Sequence, residues 1–399
     1  MRGRSEKRTW EAHPELTHAP PRYRRACEFE IFLPEPLSTD DYALPGELAT
    51  VVSEAELAIA HLNHSAAAQL APLARLLLRT ESIASSKVEG MQVDAKQLAR
   101  AEVRDDIGRR ASVEALEILA NVDAMQFAIE ETSNAERLTP YEIVAIHRVL
   151  MDRSNKRIAG RLRDRQNWIG GNDYNPCGAD FVPPPPENVG PLLEDLCRFC
   201  ERDDMPTLVQ AALVHAQFET IHPFDDGNGR TGRALVQVIL RRRGLAPAFV
   251  PPISVVLARE KDRYIRSLTA YREDRVLDWI EVFSLATTEA SKLAEAYLEQ
   301  VTALQQRWRD QLKEKVNPRS DAAAWSAIDA LPAHPVMTVP VGVASTGKSK
   351  PAVNGAMQDL VEAGVLRPLS ESQRNRAWEA SELLDLIVDL EEGVPPSNR

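Results

Sequence analysis

Cysteine is scarce, with four in 399 residues, too few for a disulfide scaffold. No apolar run approaches the roughly 20 residues that cross a bilayer, so no helical membrane span is expected. A surplus of positive charge is also missing. Lys and Arg number 48 against 59 Asp and Glu, a net charge of −11. That balance argues against a chain built to coat nucleic acid or an acidic membrane. The first ten residues are charged with no apolar stretch behind them. No secretory signal is therefore expected, and the cytoplasm is the expected compartment. What remains is a globular apolar fraction, 44%, in a chain long enough for two or three domains.

Cys197 and Cys200 form a Cys-x-x-Cys pair inside the amphipathic run Val189–Cys200. No second pair completes a zinc site, so two packed helix cysteines are the expected reading. Residues 1–45 are rich in proline and charge and read as an extended arm with little helix. Apolar periodicity predicts two or three helices over Leu48–Leu78. Further helices are predicted near 111–130, 140–152, 188–201, 206–220, 230–243, 256–273 and 275–312. Between Gly160 and Pro186 glycines, Asn and four consecutive prolines rule out helix and suggest a hairpin or ordered loop.

The densest chemistry lies in His222-Pro-Phe-Asp-Asp-Gly-Asn-Gly-Arg-Thr-Gly-Arg233. Gly227-Asn228-Gly229 can expose consecutive backbone N–H groups, because glycine tolerates the backbone angles such an anion nest needs. The helix that follows adds its N-terminal dipole. Arg230 and Arg233, three apart, can face the same phosphates. Asp226 beside a phosphate site suits Mg²⁺, and His222 titrates near neutral pH and can take a proton from a nucleophile.

This segment resembles the Fic family signature, His-x-Phe-x-(Asp/Glu)-Gly-Asn-Gly-Arg-x-x-Arg, at every specified position. The resemblance implies a mainly α fold, a Fic-type helical core with a β-hairpin flap. It implies adenylyl transfer: ATP with Mg²⁺ on Asp226, phosphates on Gly227, Asn228 (backbone and side chain), Gly229, Arg230 and Arg233, and His222 as the base. The acceptor would be a Ser, Thr or Tyr hydroxyl on a target protein, or on the chain itself. Upstream, Ser85-Ser-Lys-Val-Glu89-Gly90 is similar to the family's inhibitory motif, whose glutamate, here Glu89, pairs with the second arginine, here Arg233. Gly160–Pro186 resembles the family's flap, with Trp168 and Phe181 either contacting a target or fixing the flap to the core. Tyr264 and Tyr271 fall where family members line the adenine pocket, although aromatics at that spacing also suit a core. His147 and His215 lie in amphipathic helices and read as packed or hydrogen-bonded.

Gly342-Val-Ala-Ser-Thr-Gly347-Lys348-Ser349 fits a Walker A pattern. Too little chain follows to build the sheet that a P-loop needs. The stretch reads instead as a small C-terminal winged-helix domain, similar to the end of many Fic proteins. Its helices would be Ala322–Leu331, Val339–Ala344 and Lys350–Ala363, with wing strands at Val365–Ser370 and Arg376–Glu379. Acids outnumber bases there, which disfavours DNA contact, although Lys348, Lys350, Arg374 and Arg376 could form a local basic patch. A protein-contact or regulatory role is at least as well supported. The expected domains are 1–110, an N-terminal arm and helical region with the inhibitory motif; 111–317, the Fic catalytic core; and 318–399, the winged-helix-like domain. Rival readings are AMP removal, γ-phosphate transfer, which Gly229 opposes because such family members carry Lys there, and a scaffold with a vestigial core. A homodimer stays open.

Overall fold

The computed structural model describes residues 2–15, 17–39, 43–64, 71–106, 111–369 and 376–396. Arg374 of the expected basic patch lies outside them. The chain divides into two compact units, 1–52 with 127–243 and 262–284, and 53–126 with 244–261 and 285–399. Among the described residues no helix is long and apolar enough to cross a membrane.

The first unit is built around the helix Thr207–Ile221, in which every residue from Leu208 to Ile221 is buried. A helix covered on all sides needs no apolar stripe. Pro186–Cys200 and Asn228–Arg242 pack against it, and Pro140–Met151 packs against those two helices. Thr139 and Glu142 close a capping box at Pro140, satisfying two backbone donors that the first turn leaves orphaned. The single helix expected at 256–273 is broken into Ile253–Arg259 and Lys261–Arg272.

The N-terminal arm is extended as expected, but its strands pair. Gly3–Trp10 and Cys27–Pro34 form an antiparallel ribbon running from Gly3 opposite Pro34 to Trp10 opposite Cys27. The ribbon is anchored at the flap, where the Phe32 amide donates to Val182 O at 2.9 Å. Cys27 and Cys177 form a disulfide across 150 positions, a pairing that cysteine count alone did not suggest. Cys197 and Cys200 are free and buried, with burial pushing Cys197 up to about 12.

The flap is less regular than a hairpin. Its ladder is one antiparallel bridge, Ile169 to Phe181, because the four prolines that follow carry no amide to extend it. Side chains shape the rest: Asn172 Oδ1 accepts from the amides of Tyr174 and Asn175 at 2.9 and 3.0 Å. Trp168 meets Trp10 edge-on, and the Arg272 guanidinium lies 3.6 Å above the Phe181 ring. Both aromatics therefore fix the flap to its own unit.

In the second unit the helix Ala71–Val88 is held by polar contacts as well as apolar packing. Glu81 accepts from the Ser254 amide and hydroxyl at 2.9 and 2.6 Å, and Asn121 donates to Ser82 O at 2.7 Å. The C-terminal segment runs Ala323–Ala330, strand Val336–Thr338, Val339–Thr346, Lys350–Ala363, strands Arg367–Pro368 and Ala377–Glu379, then Ser381–Glu391. Gly342 sits inside a helix, and Gly347 caps it in the left-handed region at φ 66°, so the Walker-like string forms no phosphate loop. This segment shares one apolar core with Leu73, Leu76, Leu77 and Ile83 through Ile328, Leu360, Leu383 and Ile387. Buried Glu391 receives Lys87 Nζ at 3.2 Å and the Ala95 amide at 3.3 Å.

Candidate active site

The helix Thr207–Ile221 ends at His222, whose backbone turns left-handed at φ 49°, ψ 61°. Its imidazole is mostly buried, with Nδ1 3.9 Å from Glu219 Oε2. That carboxylate lies one helical turn back on the same helix. Phe224 is fully buried and anchors the loop. Asn228 then clamps it: the Phe224 amide donates to Asn228 Oδ1 at 2.9 Å, and Asn228 Nδ2 donates to Phe224 O at 2.8 Å. Both ends of the Asn228 amide are thus engaged in shaping the loop. That pair of bonds uses one of the two Nδ2 hydrogens.

Gly227 caps the next helix at φ 78°, ψ 10°. A Cβ there would lie 3.1 Å from Leu150 and 3.2 Å from the Met151 sulfur, so both conformation and space require glycine. The helix Asn228–Arg242 starts at this point, and its first N–H groups face the loop without intrahelical partners. Arg230 and Arg233 are buried in its first turns. Arg230 Nη2 lies 3.7 Å from Asp226 Oδ1, while Nε and Nη1 are buried without a hydrogen-bond partner. A buried guanidinium so poorly matched is short of an anion. Asp226 is exposed at the mouth, its Oδ1 accepting the Gly227 amide at 2.6 Å.

His147 supports the loop from below. The Gly160 amide donates to its Nδ1 at 3.1 Å, so Nε2 carries the proton and donates to Asp226 O at 3.0 Å. The ring stacks on Phe224 at 3.7 Å. Burial pushes its pKa down to about 4, keeping the ring neutral in this role.

Tyr264 and Tyr271 are both buried. The Tyr264 hydroxyl is 2.8 Å from His215 Nε2, and the Tyr271 hydroxyl donates to Gln217 at 2.9 Å. Burial raises Tyr271 to about 12. Glu89 is exposed, one residue past the helix Ala71–Val88, followed by Gly90 at φ 95°. Among the described residues no group of three or more His, Cys, Asp or Glu could hold a metal ion by itself. Asp226 alone suits an ion that takes its other ligands from phosphate and water, as Mg²⁺ does.

A histidine at a buried helix end is joined by a glycine loop to a second helix that buries an underpaired arginine in its first turn, all within a helical core. The Fic/DOC family model matches residues 137–240, and the Fic/DOC family N-terminal model matches 49–130. The chain belongs to the Fic/DOC family. It is 26% identical over 195 residues to Protein adenylyltransferase Fic of Drosophila erecta, covering 48% of this chain and 36% of that protein. It is 32% identical over 113 residues to Protein adenylyltransferase fic-1 of Caenorhabditis elegans, covering 28% and 20%. The chain thus spans well under half the length of these curated relatives. A Fic family protein from Desulfovibrio desulfuricans has the same fold at TM-score 0.54 and 21% identity, over 85% of this chain and 97% of that one.

Proposed function

We propose that the chain is an autoinhibited protein adenylyltransferase, moving AMP from ATP to a Ser, Thr or Tyr hydroxyl of a target protein and of itself. The observation that carries this reading is Arg230, buried beside Gly227 at a helix N-terminus with two nitrogens unpartnered. It is a site built for polyphosphate and left short of negative charge. Arg230 would bind the β-phosphate and Arg233 the γ-phosphate, with the backbone N–H groups of Gly227, Asn228 and Gly229 on the α and β oxygens. His222 would take the proton of the acceptor hydroxyl as its oxygen bonds to the α-phosphorus. The bond from that phosphorus to the bridging oxygen breaks, and pyrophosphate leaves. Positioning and charge stabilisation supply most of the rate. Asp226 would hold Mg²⁺, which when bound neutralises phosphate charge. Tyr264 and Tyr271 would back the adenine.

Glu89 would compete with the γ-phosphate for Arg233, since a charge-assisted bidentate pair is strong enough to decide between them. The segment 318–399 would act as a winged-helix-like regulatory or protein-contact unit. The test is AMP incorporation from ATP labelled at the α-phosphate. Glu89→Gly should raise it strongly, and adding His222→Ala should lower it by about 10²–10⁴-fold while ATP still binds. A folded Glu89→Gly protein that takes up no label ends the transferase reading.

A further inference from the structure

His222 holds a conformation that its own sequence disfavours. Its φ of 49° lies in the left-handed region, where an ordinary side chain crowds the carbonyl. Pro223 follows, and the ring of a proline pushes the preceding residue toward extended geometry. Something outside the segment must hold the turn.

Arg163 occupies that position. Its Nε donates to His222 O at 2.8 Å, and Nη2 donates to Ile221 O at 3.3 Å and to Pro184 O. Nη1 donates to Arg165 O at 3.2 Å, and its own amide donates to Pro223 O at 3.0 Å. The side chain is almost wholly buried, at 4% exposure. Every nitrogen of the guanidinium is matched to a main-chain carbonyl. Ile221 O and His222 O are two of the carbonyls that the end of the helix Thr207–Ile221 leaves without intrahelical partners. A cation there is favoured by the dipole as well. Pro184 O belongs to the flap, so one side chain joins the base of the flap to the turn at His222.

We infer that Arg163 is the positioning residue for His222: it caps the helix, holds the left-handed turn and sets where the imidazole stands relative to the phosphate loop. The inference rests on the adenylyl-transfer reading for its catalytic consequence, but not for its structural one. Burial lowers the guanidinium to about 10, so it stays charged at neutral pH. Lysine could keep that charge but could not reach four carbonyls from a fixed planar fork.

The experiment uses the full chain carrying Glu89→Gly, with Arg163→Gln and Arg163→Lys added separately and folding checked by thermal melt. The phosphate loop is held by Asn228 and His147, so KM for ATP should stay within about twofold. A displaced base should cost kcat roughly 10–100-fold, with the lysine variant less affected. Millimolar guanidinium should restore part of the loss in Arg163→Gln. In ¹³C-histidine-labelled protein, assigned by comparison with His222→Gln, the His222 Cα resonance should leave its left-handed position. If Arg163→Gln folds poorly, Arg163→Lys carries the same readouts. Unchanged kcat with an unchanged His222 resonance overturns the inference, as does a loss that lies entirely in KM for ATP. If Glu89→Gly alone transfers no AMP, the functional reading falls, and the His222 resonance still decides the role of Arg163.

Discussion

His147 and Gly227, 80 positions apart in the chain, lie in contact: a Cβ added to Gly227 would meet the His147 ring at 3.4 Å. The ring also holds Asp226 O and the Gly160 amide. The loop at Asp226 and Gly227 is therefore seated on a neutral imidazole with both nitrogens engaged. His147→Ala removes two hydrogen bonds and a stacked ring from a buried site, at a cost of about 3–5 kcal/mol. It should also weaken ATP binding, in contrast to His222→Ala. Denaturant unfolding and nucleotide titration check both, and unchanged ATP affinity in a folded His147→Ala protein would show that the loop stands without it.

Glu391 gives the second unit a defined pH response. Burial raises its carboxyl from 4.5 to about 7 against the opposing Lys87 charge and the Ala95 amide, with Asp94 adding to the rise. The folded state keeps a proton that the unfolded state has already lost between those values. Stability from this group is therefore full below pH 4.5 and falls as pH rises toward 7, by on the order of 3 kcal/mol. Other groups titrate too, so the readout is the difference between wild type and Glu391→Gln. The glutamine protein should lose less stability across that window in melts at stepped pH, and parallel curves would remove the assignment.

The segment 318–399 is not freely removable. Leu76, Ile83 and Ile387 belong to one core, and each fully buried aliphatic side chain contributes about 1.5–3 kcal/mol. A chain ending at residue 317 should lose the cooperative melt of the second unit. Calorimetry checks this, and two intact transitions in the truncated protein would refute it.

Thiol counting tests the ribbon. With Cys27 and Cys177 joined and Cys197 and Cys200 buried, native protein should resist alkylation. Unfolding without reductant should release two reactive thiols, and reductant four. Closing a loop of this length stabilises by about 5 kcal/mol in the chain-entropy model, so Cys27→Ser should lower the melting temperature. Four thiols on unfolding without reductant would show that the pair stays open.

Most helices were legible from apolar spacing, including Pro140–Met151 and Lys350–Ala363. The exceptions have physical causes. A periodic pattern says nothing of the break near Glu260, whose backbone leaves the helical region at φ −106°, ψ 37°. The glycines, Asn and prolines of Gly160–Pro186 suited a hairpin or an ordered loop; the segment forms one bridge, Ile169 to Phe181, and the prolines after Val182 carry no amide to extend it.

The run from His222 to Arg233 determined by itself that a glycine loop would enter a helix and present two arginines in its first turns, because residues so close in sequence have few ways to lie apart. Which atoms hold the loop was decided only by tertiary structure. Asn228 turned its amide onto Phe224, and Arg163, 59 positions upstream, took the carbonyl of His222. Cys27 found Cys177, and Lys87 found Glu391, across 150 and 304 positions. Such pairings leave no periodicity behind. They are set by which surfaces the apolar core brings together, and a buried polar atom must then take whatever partner the fold provides.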